Sequence, residues 1–303
     1  MELSGFAIAL AWPQTYCKRA GSWYDLFTKF WKFRHGDYYQ VGHSAIILID
    51  EHGTCKYYDF GRYHTPYQYG RVRSEATDHE LEIRTKAIVK EDQIQNFKEI
   101  LQEIFENENC HGEGDLHASY LKINFAKAET KISKFLKKEC HKYGPLIWNG
   151  TNCSRFVQSI LLAGIYKNRN HFWKVLLAPS ISATPLHLVR SLQNSKKIEA
   201  REIVKLKNRK ASKLVLPPKE KPHPEAQWFA GEGAGSWILI ETLEDNFLMK
   251  KYSSNLKLES ESIMQLSDHE KLNLNENYQL KFPVNCKETH LLQNNVYIIL
   301  KNI

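Results

Sequence analysis

Val41-Gly42-His43-Ser44-Ala45-Ile46-Ile47-Leu48-Ile49-Asp50 reads as a strand in which an unbroken apolar run, Ala45 to Ile49, follows a histidine and a serine. Such a run predicts a central strand covered on both faces. A histidine at its start lies near the strand end, where sites commonly form; a structural histidine bonded to a backbone carbonyl is the alternative. Glu51-His52-Gly53 then reads as a turn and Thr54-Cys55-Lys56-Tyr57-Tyr58-Asp59-Phe60 as a second strand, which together make a hairpin. Alternation puts either Tyr57 and Asp59, or Tyr58 and Phe60, on the face of His43, and the turn register decides between them. In the first case Asp59 can orient the imidazole, the third role in a nucleophile–base–orienter set.

The second informative stretch is Gly150-Thr151-Asn152-Cys153-Ser154-Arg155-Phe156-Val157-Gln158. Phe156, Val157, Ile160, Leu161 and Ile165 recur on one face of a helix, Thr151 or Asn152 can cap it, and Gly164 lies near its far end. Cys153 then falls in the first turn. Unpaired backbone N–H groups and the positive end of the helix dipole favour thiolate there, and a nearby imidazole acts the same way. The other reading is a small buried hydrophobe.

These residues resemble the NlpC-like cysteine hydrolases, a papain-like superfamily whose nucleophile commonly sits in an Asp-Cys-Ser-Gly-Leu-Val type helix start. The matching run is Asn152-Cys153-Ser154-Arg155-Phe156-Val157. The histidine hairpin precedes the cysteine helix, an order similar to the circularly permuted branch that also holds lecithin:retinol acyltransferase-like proteins. The resemblance covers roughly residues 1–195 and is strong at the two motifs. It implies a permuted papain-like antiparallel sheet with helices, Cys153 as nucleophile, His43 as base, and a third polar residue that maps loosely onto Asp59. Asn152 replaces the common Asp, and Arg155 replaces a small glycine; Arg155 can narrow the cleft, bind an anionic substrate group, or simply be solvated.

At 303 residues two domains are favoured over one, and a hydrophobic content of 42% with 12% aromatics argues a folded chain. The net charge of +8 is concentrated: residues 196–221 hold ten Lys/Arg against three Asp/Glu, a net of +7. This segment ends in Pro217-Pro218-Lys219-Glu220-Lys221-Pro222-His223-Pro224, the signature of an extended connector. A solvated linker is preferred over a nucleic-acid groove, and no nucleic-acid motif accompanies it. The expected organisation is therefore a catalytic domain over 1–195, a basic, Pro-rich linker over 196–224 and a β-rich accessory domain over 225–303. The fold class is α+β.

Cys17, Cys55, Cys110, Cys140, Cys153 and Cys286 form no C-x-x-C pair, which removes zinc-ribbon and thioredoxin-like readings. Their spread suits thiols in a reducing compartment. No H-E-x-x-H occurs, so no metal or other cofactor is expected. Phe6 to Trp12 is too short to span a membrane and has no basic leader, so it reads as a first strand. The expectation is a cytoplasmic protein with no membrane span, export by another route staying open.

Along the chain, Ser22 starts an aromatic helix to about Phe33, with Trp23, Leu26, Phe27, Phe30 and Trp31 on one face. They are either core or a wall of the substrate cleft, with Trp23 its candidate contact. Gly61 to Arg73 is dense in aromatic and basic side chains and reads as a loop over or beside the site, with Tyr63 and His64 as candidate substrate contacts. Leu81 to Ile88 reads as a strand, Glu91 to Phe105 as an amphipathic helix, Asn107 to Asp115 as a loop, and Ala126 to Tyr143 as a further helix. Pro185 after Thr184 starts another helix. In the tail, Trp237 to Glu241, Phe247 to Tyr252, Tyr278 to Phe282 and Asn295 to Lys301 read as strands. Gly231-Glu232-Gly233-Ala234-Gly235 lacks the Lys-Ser/Thr of a phosphate loop and reads as a turn.

Three functions fit. The leading one is a thiol hydrolase cleaving an amide, peptide or γ-glutamyl-like, with peptidoglycan fragments among the substrates the resemblance suggests. The second is an acyltransferase or thioesterase using the same residues. The third is a binding protein that keeps the fold without catalysis.

Overall fold

The computed structural model describes residues 3–18, 34–35, 38–166, 169–179, 184–200, 215–231, 234–267 and 271–303. The expected aromatic helix from Ser22 to Phe33, including Trp23, lies outside them, as does most of the basic segment. The chain divides into two compact units. The first holds residues 1–61, 70–74 and 81–210, and the second holds 62–69, 75–80 and 211–303.

In the first unit, seven strands form one sheet: β1 (Gly5–Trp12), β2 (His43–Ile49), β3 (Cys55–Gly61), β4 (Tyr69–Arg73), β5 (Leu116–Ile123), β6 (His141–Lys142) and β7 (Gln193–Ile198). Their order is β6-β4-β3-β2-β1-β5-β7. The pairings from β4 across to β7 are antiparallel. The helices are α1 (Phe97–Glu106), α2 (Phe125–Leu136), α3 (Cys153–Gly164), α4 (Asn170–Leu177) and α5 (Pro185–Arg190).

The apolar run of β2 is explained by its place in the middle of the sheet, where every residue is buried. Ala45, Ile47 and Ile49 pack with Phe97, Ile100 and Leu101 of α1. Ile46 and Leu48 pack on the other face with residues of α2, α3, α4 and α5, Phe156 and Ile160 among them. Helices thus cover both faces of an antiparallel sheet, and the chain is α+β as its pattern predicts. Phe156 is fully buried where α3 meets the sheet. We expect Phe156→Ala to cost the first unit about 3–5 kcal/mol, read as a lowered midpoint of its unfolding transition in denaturant.

Several local expectations need correction. Tyr69–Arg73 is strand β4, not part of a loop. Leu81 to Ile88 keeps the buried–exposed alternation of a strand but joins no sheet beyond the 3-10 turn His79–Leu81. Its backbone donors are taken elsewhere. Arg84 and Thr85 N–H bond the Glu103 carboxylate, Ala87 N–H bonds Gly53 O, and Ile88 N–H bonds Asn96 Oδ1. The first amphipathic helix starts only at Phe97, because Glu91 and Asp92 take positive φ in a tight turn between the short strands Val89–Lys90 and Gln93–Ile94. The helix expected to reach Tyr143 stops at Leu136, and His141–Lys142 joins the edge of the sheet. Strand β5 was not anticipated, although it pairs with Gly5 to Ala11 of β1.

The second unit contains a seven-stranded sheet: β8 (Gln227–Ala230), β9 (Gly235–Leu243), β10 (Asn246–Tyr252), β11 (Leu258–Leu266), β12 (Gln279–Val284), β13 (Glu288–Gln293) and β14 (Val296–Asn302). The order is β8-β9-β10-β11-β14-β13-β12. Ile238, Ile240, Met249, Met264, Leu291, Ile298 and Leu300 form its core. The tail is β-rich as expected, with β8, β11 and β13 added to the four strands read from sequence.

Candidate active site

Gly42 takes φ +75°, a backbone conformation that favours glycine, and a Cβ there would sit 2.9 Å from Trp12 O. This turn delivers His43 to the first position of β2, opposite Trp12 of β1, with the two rings 6.0 Å apart. The hairpin register sets Ala45 opposite Asp59. Directly paired residues share a face and alternate residues return to it, so Asp59 lies on the face of His43. Of the two registers open in the sequence, the one with Tyr57 and Asp59 is found.

His43 Nε2 is 3.4 Å from Asp59 Oδ2. Tyr57 Oη donates to the same oxygen at 3.2 Å. Behind them stands Arg73 of β4, directly opposite Asp59 in the register. Its Nε donates to Oδ1 at 3.0 Å and its Nη2 to Oδ2 at 2.6 Å, a two-pronged grip on a fully buried carboxylate. Arg73 Nη2 also donates to Asn109 O at 3.0 Å. Arg73 went unassigned in the sequence because the stretch around it read as a loop. Reading Tyr69–Arg73 as the next strand of a meander would have brought it to Asp59.

The cysteine arrives from the other side of the sheet. Thr151 N–H bonds Lys142 O and Gly144 N–H bonds Thr151 O, both at 2.9 Å, which ties the segment before α3 to edge strand β6. Asn152 is the N-cap: its Oδ1 accepts from Arg155 N–H at 2.8 Å, a role open to Asn as well as Asp. Cys153 follows in the first turn and is buried. The face of α3 packs on Ile46 and Leu48, so its N-terminus comes to the start of β2. There the thiol comes beside the His43 ring, the Ser44 N–H and the Ser154 hydroxyl, each of which favours the thiolate. Ser154 Oγ is in turn 3.3 Å from Ser44 Oγ, a second link between helix and strand.

The electrostatics follow from these contacts. Burial pulls His43 toward the neutral form, but its hydrogen bonds to Asp59 and Cys153 and their negative charges outweigh burial and push its pKa up to about 9. Burial raises the Cys153 thiol, yet the His43 hydrogen bond and charge, with Ser44 N–H and the Ser154 hydroxyl, bring it below the ordinary thiol value. Burial also opposes ionisation of Asp59, and the Arg73 charge, joined by hydrogen bonds from His43 and Arg73, holds it well below the usual carboxylate range. Burial dominates at Cys55, Cys110 and Cys286, which are pushed up to about 12.

Of the other candidate contacts, Arg155 lies half-buried in the first turn of α3 beside Cys153. Tyr63 and His64 group with the second unit: Tyr63 bridges Ala234, and the His64 ring stacks on Phe229 at 5.8 Å. Among the described residues no His/Cys/Asp/Glu group suits a metal ion.

A first-turn thiol, an imidazole beside it and an ionised carboxylate behind, held on a mixed α+β frame, define the class of proteins that carry a Cys–His–acid constellation. A family profile described as type VI secretion system effector TseH-like matches residues 7–170, which include both motifs. The chain belongs to this family. A second profile, described as the DUF6695 C-terminal domain, matches residues 226–303. A solved structure described as the type VI secretion system effector TseH is 16% identical, covering 66% of this chain and 94% of that one at a TM-score of 0.41. No curated protein matches.

Proposed function

We propose that this chain is a thiol-dependent amide hydrolase of the permuted NlpC-like type, acting on a peptide or γ-glutamyl-like bond. The observation that carries the reading is the first-turn Cys153 beside His43 at the start of α3, with His43 Nε2 in turn 3.4 Å from an Asp59 gripped by Arg73. A cysteine that serves only as a small hydrophobe needs none of these partners. The Cys153 thiolate attacks the carbonyl carbon, and the backbone N–H of Cys153 helps hold the oxyanion. With Nε2 turned to Asp59, Nδ1 of the imidazolium gives its proton to the leaving amine as the C–N bond breaks. The neutral ring then takes a proton from water, which attacks the thioester and frees the acid and the thiolate. Arg155 is the proposed contact for a substrate carboxylate. Membership of an effector family supports export by a secretion route, which would bring peptidoglycan fragments within reach.

The test compares labelling with turnover across pH. Iodoacetamide should modify Cys153 fastest of the six cysteines, and its rate should rise with pH to a plateau reached below the ordinary thiol range, because only thiolate reacts. Hydrolysis of a muropeptide should follow the same acid limb and then fall as pH passes about 9, where the imidazolium loses the proton owed to the leaving group. Labelling of Cys153 no faster than that of Cys140 near neutral pH would overturn the pair. Rapid labelling without amide turnover would leave the pair standing and move the acyltransferase reading ahead.

A further inference from the structure

Helix α4 is apolar on two sides. Phe172 and Val175 enter the core beside α3. On the outward side Trp173 is 54% exposed, Leu176 43% and Leu177 77%. Positions i, i+3 and i+4 adjoin on a helix, so these three make one apolar stripe. The stripe is held firmly: Gln158 Nε2 of α3 donates to Val175 O at 2.7 Å and to Ala178 O at 2.9 Å, fixing the end of α4 on the helix that carries Cys153.

Charge says what covers this surface. Residues 140–198 contain eight Lys/Arg and no Asp or Glu, whereas the chain as a whole has 34 acidic residues in 303. Lys142, Arg169 and Lys174 are exposed within that stretch. Nucleic acid can stack on tryptophan, but it offers nothing to a pair of leucines. A bilayer of anionic lipid takes both: hydrocarbon for leucine, the interface for tryptophan, and headgroup phosphate for lysine and arginine. Among the described residues no helix is long and apolar enough to cross a membrane, so the contact lies on the surface.

We propose that α4 is a peripheral docking face for an anionic lipid bilayer. It sets the helix of Cys153 down on that surface and does not depend on the reaction proposed for the thiol.

The experiment is co-sedimentation of the full chain with sucrose-loaded vesicles, either equimolar phosphatidylcholine and phosphatidylglycerol or phosphatidylcholine alone. The chain should bind the mixed vesicles, and added salt should weaken binding. Trp173→Ser/Leu177→Ser should lower the partition coefficient by about tenfold for each side chain. Quenching of tryptophan emission by brominated lipid gives a readout on the unaltered protein, and Trp173→Phe should remove a large part of it. Absence of binding to anionic vesicles, or absence of quenching, overturns the proposal. Binding of the double variant equal to that of the parent also overturns it, because the basic segment 196–221 would then be acting as a simple polycation. Neither outcome bears on Cys153 chemistry, which the labelling experiment reads separately.

Discussion

Cys153→Ala is expected to lower amide turnover by about 10⁶-fold, the scale seen when a nucleophile that works as a unit with its base is removed. The methyl group cannot form the acyl intermediate, and only the oxyanion donors and substrate binding are left to act. His43→Ala should fall to a similar floor, and the double variant should lie no lower than either one, because neither residue acts without the other. The measurement is single-turnover hydrolysis of a purified muropeptide. Circular dichroism should be unchanged for Cys153→Ala, which exchanges one small buried side chain for another. Turnover within tenfold of the parent would end the thiol mechanism.

Arg73→Met should strongly lower stability. It leaves the carboxylate of Asp59 fully buried without its cation, a loss of about 3–5 kcal/mol for a broken buried pair. Arg73→Lys keeps the charge but loses the fork, so it should fall between parent and Met. The informative case is Arg73→Met/Asp59→Asn. With neither charge present, much of the stability should return, while turnover stays low because the amide holds His43 less well than a carboxylate. Denaturant unfolding of the first unit, paired with His43 titration by NMR, separates the two effects. In Arg73→Met the Asp59 pKa should rise. Stability contributed by a depressed carboxylate is present above its unfolded-state pKa of about 3.9 and is lost as pH falls through the folded value, so the variant should lose less on acidification than the parent. Equal stability of parent and Arg73→Met would mean that the pair is not buried as described.

The legibility of this chain follows the range of its interactions. His43 and Cys153 each head a local pattern, an apolar run and a helical stripe, so their elements and positions could be read directly. Asp59 was narrowed to one of two registers, since a two-residue alternation cannot choose between faces without the turn. Arg73 depended on a third strand whose composition, Tyr69-Gly70-Arg71-Val72-Arg73, does not resemble a core strand. It is buried because charge meets charge, which no hydrophobic pattern signals. Strand β5 lies far from β1 in sequence, and such pairing is invisible to local periodicity. Leu81 to Ile88 shows the reverse: the alternation is genuine, but Glu103 and Asn96 take the backbone donors that a neighbouring strand would have used.

The grip of Arg73 on Asp59 also bears on the whole of the proposed catalytic cycle. In the proposed cycle arginine, aspartate, imidazolium and thiolate form a row of four alternating charges that sum to zero. When the acyl group is transferred, thiolate and imidazolium vanish together and the arginine–aspartate couple still balances itself. In the proposed cycle both resting stages, free and acylated, are therefore neutral as a set. In the tetrahedral stages the oxyanion takes over the negative charge of the thiolate and faces the imidazolium and the amide dipoles at the start of α3, so the set stays balanced there too. A site wired this way tolerates deep burial without having to be rehydrated between turnovers.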